Sequence, residues 1–156
     1  MDIEVFQADS SGADLRIALV QSRFNEPICN SLREACLKEL VKQGVDSDDI
    51  FAFSVPGALE LGSALEKLAS SKQFDALIAI GAVVRGETYH FEIVAGESAR
   101  GIMALTMDGM AIGNGILTVE NEGQALVRAD ASQKDKGGEA AKAALAMLDL
   151  QAKFLA

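Results

Sequence analysis

The sequence is poor in the residues that bind metal ions and nucleic acids. Its 156 residues include one histidine, two cysteines and no tryptophan, and acidic residues outnumber basic ones 23 to 14. A net charge of −9 disfavours binding to nucleic acid or to an acidic membrane surface, because both need clustered Lys and Arg. With no second histidine and no Cys-x-x-Cys pair, we also expect no metal site.

Disulfides and membrane spans are not expected either. Cys29 and Cys36 fall seven positions apart in one predicted helix. That spacing places them about 10 Å apart, which is beyond the reach of a disulfide. No run approaches ~20 apolar residues, and the first ten residues lack the basic and apolar regions of a signal peptide. We therefore expect a soluble, cytoplasmic protein with reduced, buried thiols.

What is present is an apolar composition organised as alternating strands and helices. Hydrophobic residues make up 49% of the chain, and the length fits one domain over residues 1–156. The apolar patterns predict four strands and five helices. The strands are expected at 15–20, 50–55, 75–84 and 113–120, and the helices at 25–44, 58–70, 90–107, a short segment after Asn121, and 135–153. This order predicts a flavodoxin-like α/β three-layer sandwich, with a four-stranded parallel sheet flanked by helices.

The first 14 residues differ from the rest. Ile3 and Val5 alternate with acidic residues, and the stretch "ADSSGAD" resembles a flexible linker. Such a segment is either a strand that pairs with the sheet edge of a neighbouring subunit or a frayed tail. The sequence leaves both possibilities open.

Four loops follow the predicted strands, and in a parallel sheet they meet at one edge, where ligands bind. One of them, "RGETYH", combines features that suit a phosphate. Gly86 allows close approach of the backbone, while Glu87 and Thr88 supply amides and a hydroxyl beside a helix N-terminus. His90 follows at the same junction and is suited to moving protons at neutral pH, although a lone histidine is more often structural.

Other loop residues have both a functional and a structural interpretation. Phe24 either stacks on a flat heterocycle or packs at a helix entry. Glu60 either accepts hydrogen bonds from a ligand or simply favours a helix N-terminus. Arg85 and Arg128 are either solvated or placed near a phosphate. The chain lacks a Gly-x-Ser-x-Gly elbow and a dinucleotide fingerprint.

The loops taken together resemble a known family. The segments "SRFNEPICNSL", "VPGALEL", "GAVVRGETYHFEIV" and "GILTVENEGQALVRA" occur in the order and spacing of the 6,7-dimethyl-8-ribityllumazine synthases. The resemblance covers the chain from about residue 15. It implies the penultimate step of riboflavin biosynthesis, which condenses 5-amino-6-(ribitylamino)uracil with 3,4-dihydroxy-2-butanone 4-phosphate and uses no cofactor or metal. It also implies a homopentamer with sites between neighbours.

The resemblance implies a role for each matching residue. His90 is the proton shuttle, and Phe24 stacks on the pyrimidine ring. The expected substrate-binding residues are Phe24, Asn25, Ala58, Leu59, Glu60, Val83, Val84, Gly86, Glu87, Thr88, Asn114, Arg128 and Lys136. Among these, residues 86–88 hold the phosphate with the aid of Arg128.

Two departures from the family pattern qualify this assignment. Asn114 stands where the family usually has an aromatic residue that reaches across the subunit interface. Ser132 replaces a lysine in a loop that is glycine-rich in shell-forming members, so a free pentamer is favoured. Three alternatives remain open at this point: a flavin- or lumazine-binding module without activity, a structural shell protein, and a phosphosugar isomerase, which would need a second base near His90.

Overall fold

The computed structural model describes residues 1–154 and contains one parallel sheet covered by helices on both faces. The strands are β1 (Ile17–Ser22), β2 (Ile50–Val55), β3 (Ala76–Val84) and β4 (Ala111–Val119). The helices are α1 (Glu26–Lys42), α2 (Ala58–Ser70), α3 (His90–Met107), α4 (Glu122–Ala129) and α5 (Lys136–Phe154), with a 3₁₀ turn at Ser47–Asp49. The predicted flavodoxin-like α/β class is confirmed.

The strand order is β2-β1-β3-β4, and every pairing is parallel. The chain passes from β1 outward to β2, then crosses back over β1 to form β3. The direction of winding therefore reverses between β1 and β3, and this reversal opens a crevice at the carboxyl ends of those two strands. All four strands end at this edge, so their following loops are neighbours.

Alternating side chains of the central strands supply two separate cores. In β1, Ile17 and Leu19 pack with α1, α4 and α5, whereas Ala18 and Val20 pack with α2 and α3. All four side chains are fully buried. The continuous apolar run of β1 thus reflects burial on both faces, as expected for the interior of a parallel sheet.

The strand boundaries differ from prediction at β1 and β4. Strand β1 extends two residues further than expected, because Gln21 and Ser22 remain paired with β2 and are buried. Strand β4 begins at Ala111 instead of residue 113. Gln21 is accommodated in the interior by hydrogen bonds with Asn30 (2.8 Å) and Arg33 (2.8 Å) of α1. The sequence predicts a loop after residue 20 because Gln21 and Ser22 are polar. The partners that bury Gln21 lie on α1, which the local pattern does not reveal.

The N-terminal segment forms no strand within the described chain. Phe6 packs edge-to-face on Phe154 at 4.8 Å between ring centroids, and Ser10 Oγ donates to Gln43 Oε1 at 3.0 Å. Gly12 N donates to Gln43 O at 2.8 Å. Ile3 and Val5 stay exposed. The segment therefore contacts the ends of α1 and α5 of its own chain, and its pairing with a neighbouring subunit stays a prediction.

Gly137 lies where α5 crosses α1 at close range. A Cβ at this position would overlap the carbonyl oxygen of Leu32 and lie 3.2 Å from Ala35 Cβ. We expect Gly137→Ala to lower the free energy of unfolding by about 1–3 kcal/mol, since overpacking outweighs the gain in helix propensity. Gly96→Ala is the control, because a Cβ there meets nothing within 4 Å. Chemical denaturation should show opposite signs for the two variants, and equal effects would contradict the close packing.

Candidate active site

A cleft of about 390 Å³ opens at the carboxyl edge of the sheet, where the winding reverses. Its wall is contributed by the β1–α1 loop, the start of α2, the end of β3 and the first turns of α3. The lining residues are Phe24, Asn25, Gly57, Ala58, Leu59, Glu60, Ala82, Val83, Val84, His90 and Val94. This volume and the mostly apolar wall fit a small organic ligand.

Asn25 holds the floor of the cleft in place. Its backbone adopts the left-handed conformation (φ 56°), which asparagine tolerates better than most residues. The Asn25 side chain makes no capping hydrogen bond to α1. Instead, its Nδ2 donates a 2.9 Å hydrogen bond to the carbonyl oxygen of Ala82. This bond joins the ends of β1 and β3 across the crevice.

Phe24 and Glu60 converge above Gly57. A Cβ built on Gly57 would lie 3.1 Å from Glu60 Oε2 and 3.3 Å from Phe24 Cδ2, so both side chains pack closely over this glycine. The Phe24 side chain is 71% exposed, although an aromatic ring of this size is usually packed. An exposed ring beside a carboxylate offers a stacking face and a hydrogen-bond acceptor to a flat, polar heterocycle.

His90 begins α3 at the mouth of the cleft, and it is exposed. Its backbone N–H donates to Thr88 Oγ1 at 3.4 Å. Within residues 1–154, the backbone amides of Gly86, Glu87 and Thr88 have no protein acceptor. These free amides directly precede His90, which lines the cleft, although residues 86–88 are not themselves among its lining residues.

Arg85 and Arg128, which the sequence suggested as possible phosphate contacts, have different surroundings. Arg85 forms ion pairs with Glu92 and with Glu120 (2.6 Å). The hydrogen bond that Arg85 donates to Glu92, followed by the one it donates to Glu120, raises the pKa of Arg85 above its ordinary value. Arg128 donates only to the backbone oxygen of Gln124 at 3.1 Å and, within the described residues, has no carboxylate partner.

Six of the predicted substrate-binding residues are not part of the cleft wall: Gly86, Glu87, Thr88, Asn114, Arg128 and Lys136. Arg128 is on α4, in the helix that follows β4. Asn114 is exposed in the middle of β4, where its Oδ1 accepts from Ile116 N at 3.0 Å. Lys136 pairs with Glu139 at 2.6 Å in the first turn of α5. Their roles in substrate binding stay predictions.

Sequence reasoning missed three lining residues, Gly57, Ala82 and Val94. Val94 could have been found, because it lies one helical turn after His90 and faces the same side. Ala82 was hidden inside an apolar strand, and its contribution depends on how β3 is oriented at the crevice. Gly57 lies inside the segment "VPGALEL", but the sequence did not assign it a place in the cleft wall.

The described residues contain neither a candidate metal site nor a membrane-spanning helix. Among the described residues, no group of three His, Cys, Asp or Glu side chains is arranged to hold a metal ion. No described helix is long and apolar enough to cross a membrane.

A doubly wound α/β sheet with a ligand-sized cleft at its carboxyl edge defines a small-molecule site on a flavodoxin-like fold. The sequence model of the 6,7-dimethyl-8-ribityllumazine synthases matches residues 14–152. The chain belongs to this family and is an enzyme of the transferase class.

Individual relatives agree with the family match. The 6,7-dimethyl-8-ribityllumazine synthase of Paraburkholderia phymatum is 51% identical over 151 residues, which cover 96% of this chain and 86% of the relative. The proteins of the same name from Burkholderia vietnamiensis and Burkholderia ambifaria are 52% identical, covering 96% of this chain and 87% and 86% of the relatives. The similarity therefore extends over the whole fold and all four loops.

Neither cysteine lines the cleft, although Cys29 Sγ donates to the backbone oxygen of the lining residue Phe24 at 3.3 Å. Cys29 and Cys36 are free and fully buried. Burial, with a smaller effect of Asp135, raises the pKa of Cys36 to about 12. We expect neither thiol to react with a disulfide reagent in the native protein at pH 8, whereas both should react in denaturant. Rapid labelling of the native protein, followed by mass spectrometry, would contradict this burial.

Proposed function

We propose that this chain catalyses the reaction for which its family is named. It condenses 5-amino-6-(ribitylamino)uracil with 3,4-dihydroxy-2-butanone 4-phosphate to give 6,7-dimethyl-8-ribityllumazine, phosphate and water. The observation that carries the proposal is the position of His90, which is exposed at the mouth of the cleft beside the free amides of residues 86–88. A binding module without activity would not need a proton-transfer group there.

The pyrimidine fits the wide end of the cleft. Phe24 provides a stacking face, and the Glu60 carboxylate accepts hydrogen bonds from a ring N–H or from a ribityl hydroxyl. Asn25, Ala58, Leu59, Val83 and Val84 form the remaining wall. Because this wall is mostly apolar, it excludes water from the ring while the polyol tail extends along the polar rim.

The phosphorylated ketone occupies the opposite end. Gly86, Glu87 and Thr88 donate backbone N–H groups to the phosphate, and the N-terminus of α3 favours its negative charge. Arg128 is the candidate cation, since no carboxylate among the described residues neutralises it. This placement leaves the ketone carbon between the phosphate and the pyrimidine amine.

Once the substrates are held together, the protein needs to supply only proton transfers. The primary amine attacks the ketone to form a carbinolamine, and loss of water gives an imine. Loss of an adjacent proton is coupled to elimination of phosphate, and the second amine closes the ring with loss of water. His90 accepts and returns the protons in these steps. Holding both substrates in register supplies on the order of 7–11 kcal/mol of the barrier reduction.

The variant His90→Asn tests the role of the histidine. We expect it to lower kcat by about 10²- to 10⁴-fold with little effect on stability, because the side chain is exposed and acts as a general acid and base. Formation of the lumazine is followed by its fluorescence after the two substrates are mixed. Unchanged turnover would rule out His90 as the proton carrier. A wild-type protein that binds the product but does not form it would favour the binding module.

We also propose that the chain acts as a homopentamer in the cytoplasm. Exposed apolar side chains support association, including Phe53 of edge strand β2 and Met103 and Met107 of α3. Multi-angle light scattering should give five times the mass of one chain. A monomer would contradict the proposal, and a much larger particle would point to the shell form.

A further inference from the structure

Arg85 joins three elements around the candidate active site. It directly follows β3, and its backbone N donates to Val119 O at 2.9 Å, which continues the pairing with β4. Its side-chain Nε donates to Glu120 Oε2 at 2.6 Å, and its Nη1 donates to Glu92. The guanidinium carbon also lies 4.2 Å from the centroid of the Phe91 ring. One side chain thus contacts both the first turn of α3 and the loop after β4.

The contacts of Arg85 are linked to Arg128 through Glu120 and Gln124. The Glu120 backbone N donates to Gln124 Oε1 at 2.8 Å, and Arg128 Nη1 donates to the backbone oxygen of the same Gln124 at 3.1 Å. Phe91 and Glu92 are the two residues that follow His90. A continuous set of polar contacts therefore connects the helix turn that carries His90 with the helix that carries Arg128.

The same contacts make Arg85 a poor phosphate ligand. Two carboxylates already neutralise its guanidinium, and a phosphate at this position would be repelled by both. The Arg85 ion pair lowers the pKa of Glu92, so this carboxylate stays charged. Because these groups are partly solvated, we expect the ion pairs to orient the elements more than to stabilise the fold.

We propose that Arg85 is a positioning residue: it holds the helix turn of His90 in register with the loop that leads to Arg128, and it does not bind the phosphate itself. The proposal rests on the function assigned to this cleft. In that reaction, His90 must move a proton at carbon atoms whose phosphate is held partly by Arg128 of α4. A displacement of about 1 Å between the two ends of the substrate can reduce the rate by about 100-fold.

The main test compares Arg85→Gln with Arg16→Gln. Arg16 is a matched control, because its Nε lies 3.9 Å from Asp49 Oδ1 and its guanidinium carbon is 5.0 Å from the centroid of the Phe51 ring. It precedes β1 at the amino end of the sheet, opposite the cleft. Arg85→Gln loses two ion pairs and one aromatic contact, and Arg16→Gln loses one ion pair and two aromatic contacts, but only Arg85→Gln loses the connection between α3 and the β4 loop.

We expect Arg85→Gln to lower kcat by about 10- to 100-fold, with less than about a threefold change in KM for the phosphorylated ketone. Arg128→Gln should show the reverse pattern, with a raised KM. Arg85→Lys should recover part of the lost kcat, because an ammonium keeps the charge but cannot form both directed bonds. Arg16→Gln should match the wild type in both constants.

A second readout does not depend on activity. His90 is the only histidine of the chain, so its ring gives a single set of NMR signals. We expect these signals to shift and broaden in Arg85→Gln and to stay unchanged in Arg16→Gln. If the wild type forms no lumazine, the proposed function fails, and the ring signals still decide whether Arg85 positions His90.

Two outcomes would overturn the inference. A raised KM for the phosphorylated ketone at unchanged kcat would make Arg85 a phosphate ligand, and equality with Arg16→Gln in kcat and in the ring signals would remove its positioning role. If Arg85→Gln does not fold, Glu120→Gln removes one of the two connections and is expected to lower kcat less, in the same direction. A Glu120→Gln variant identical to the wild type would then refute the proposal.

Discussion

The reversal of winding between β1 and β3 is the constraint on which the site depends. A parallel sheet in the order β2-β1-β3-β4 separates the helices that follow β1 and β3 onto opposite faces, and no crossover fills the space between these strand ends. The hydrogen bond from Asn25 to the Ala82 carbonyl oxygen spans this space. Asn25 makes it from a left-handed backbone conformation, so local conformation and sheet topology act together.

Arg85 and Arg128 differ in how much of their positive charge is available to a ligand. In a chain with a net charge of −9, a phosphate site needs a cation that no carboxylate neutralises. Arg85 is paired twice, whereas Arg128 contacts only a backbone oxygen. Glu92 and Glu120 therefore orient Arg85 and leave the charge of Arg128 available to an anionic substrate.

The sequence was most informative where burial imposes a clear period. The apolar run of β3 and the helix from His90 to Met107 were predicted almost to the residue. Prediction was weaker where polar groups are buried by distant partners, as at Gln21. The short helix after Asn121 was predicted correctly, and the Asn121 side chain caps it by accepting from Gln124 N at 2.9 Å.

By itself, the sequence determined the elements, their order and the loops that carry chemistry, because these follow from local periodicity, turn residues and motif spacing. The tertiary structure decided which loop residues share one cleft, that the Phe24 ring is exposed beside Glu60, and that Arg85 and Arg128 differ in their partners. Such contacts join residues that are far apart in the chain, so their distances are set by sheet order and helix packing.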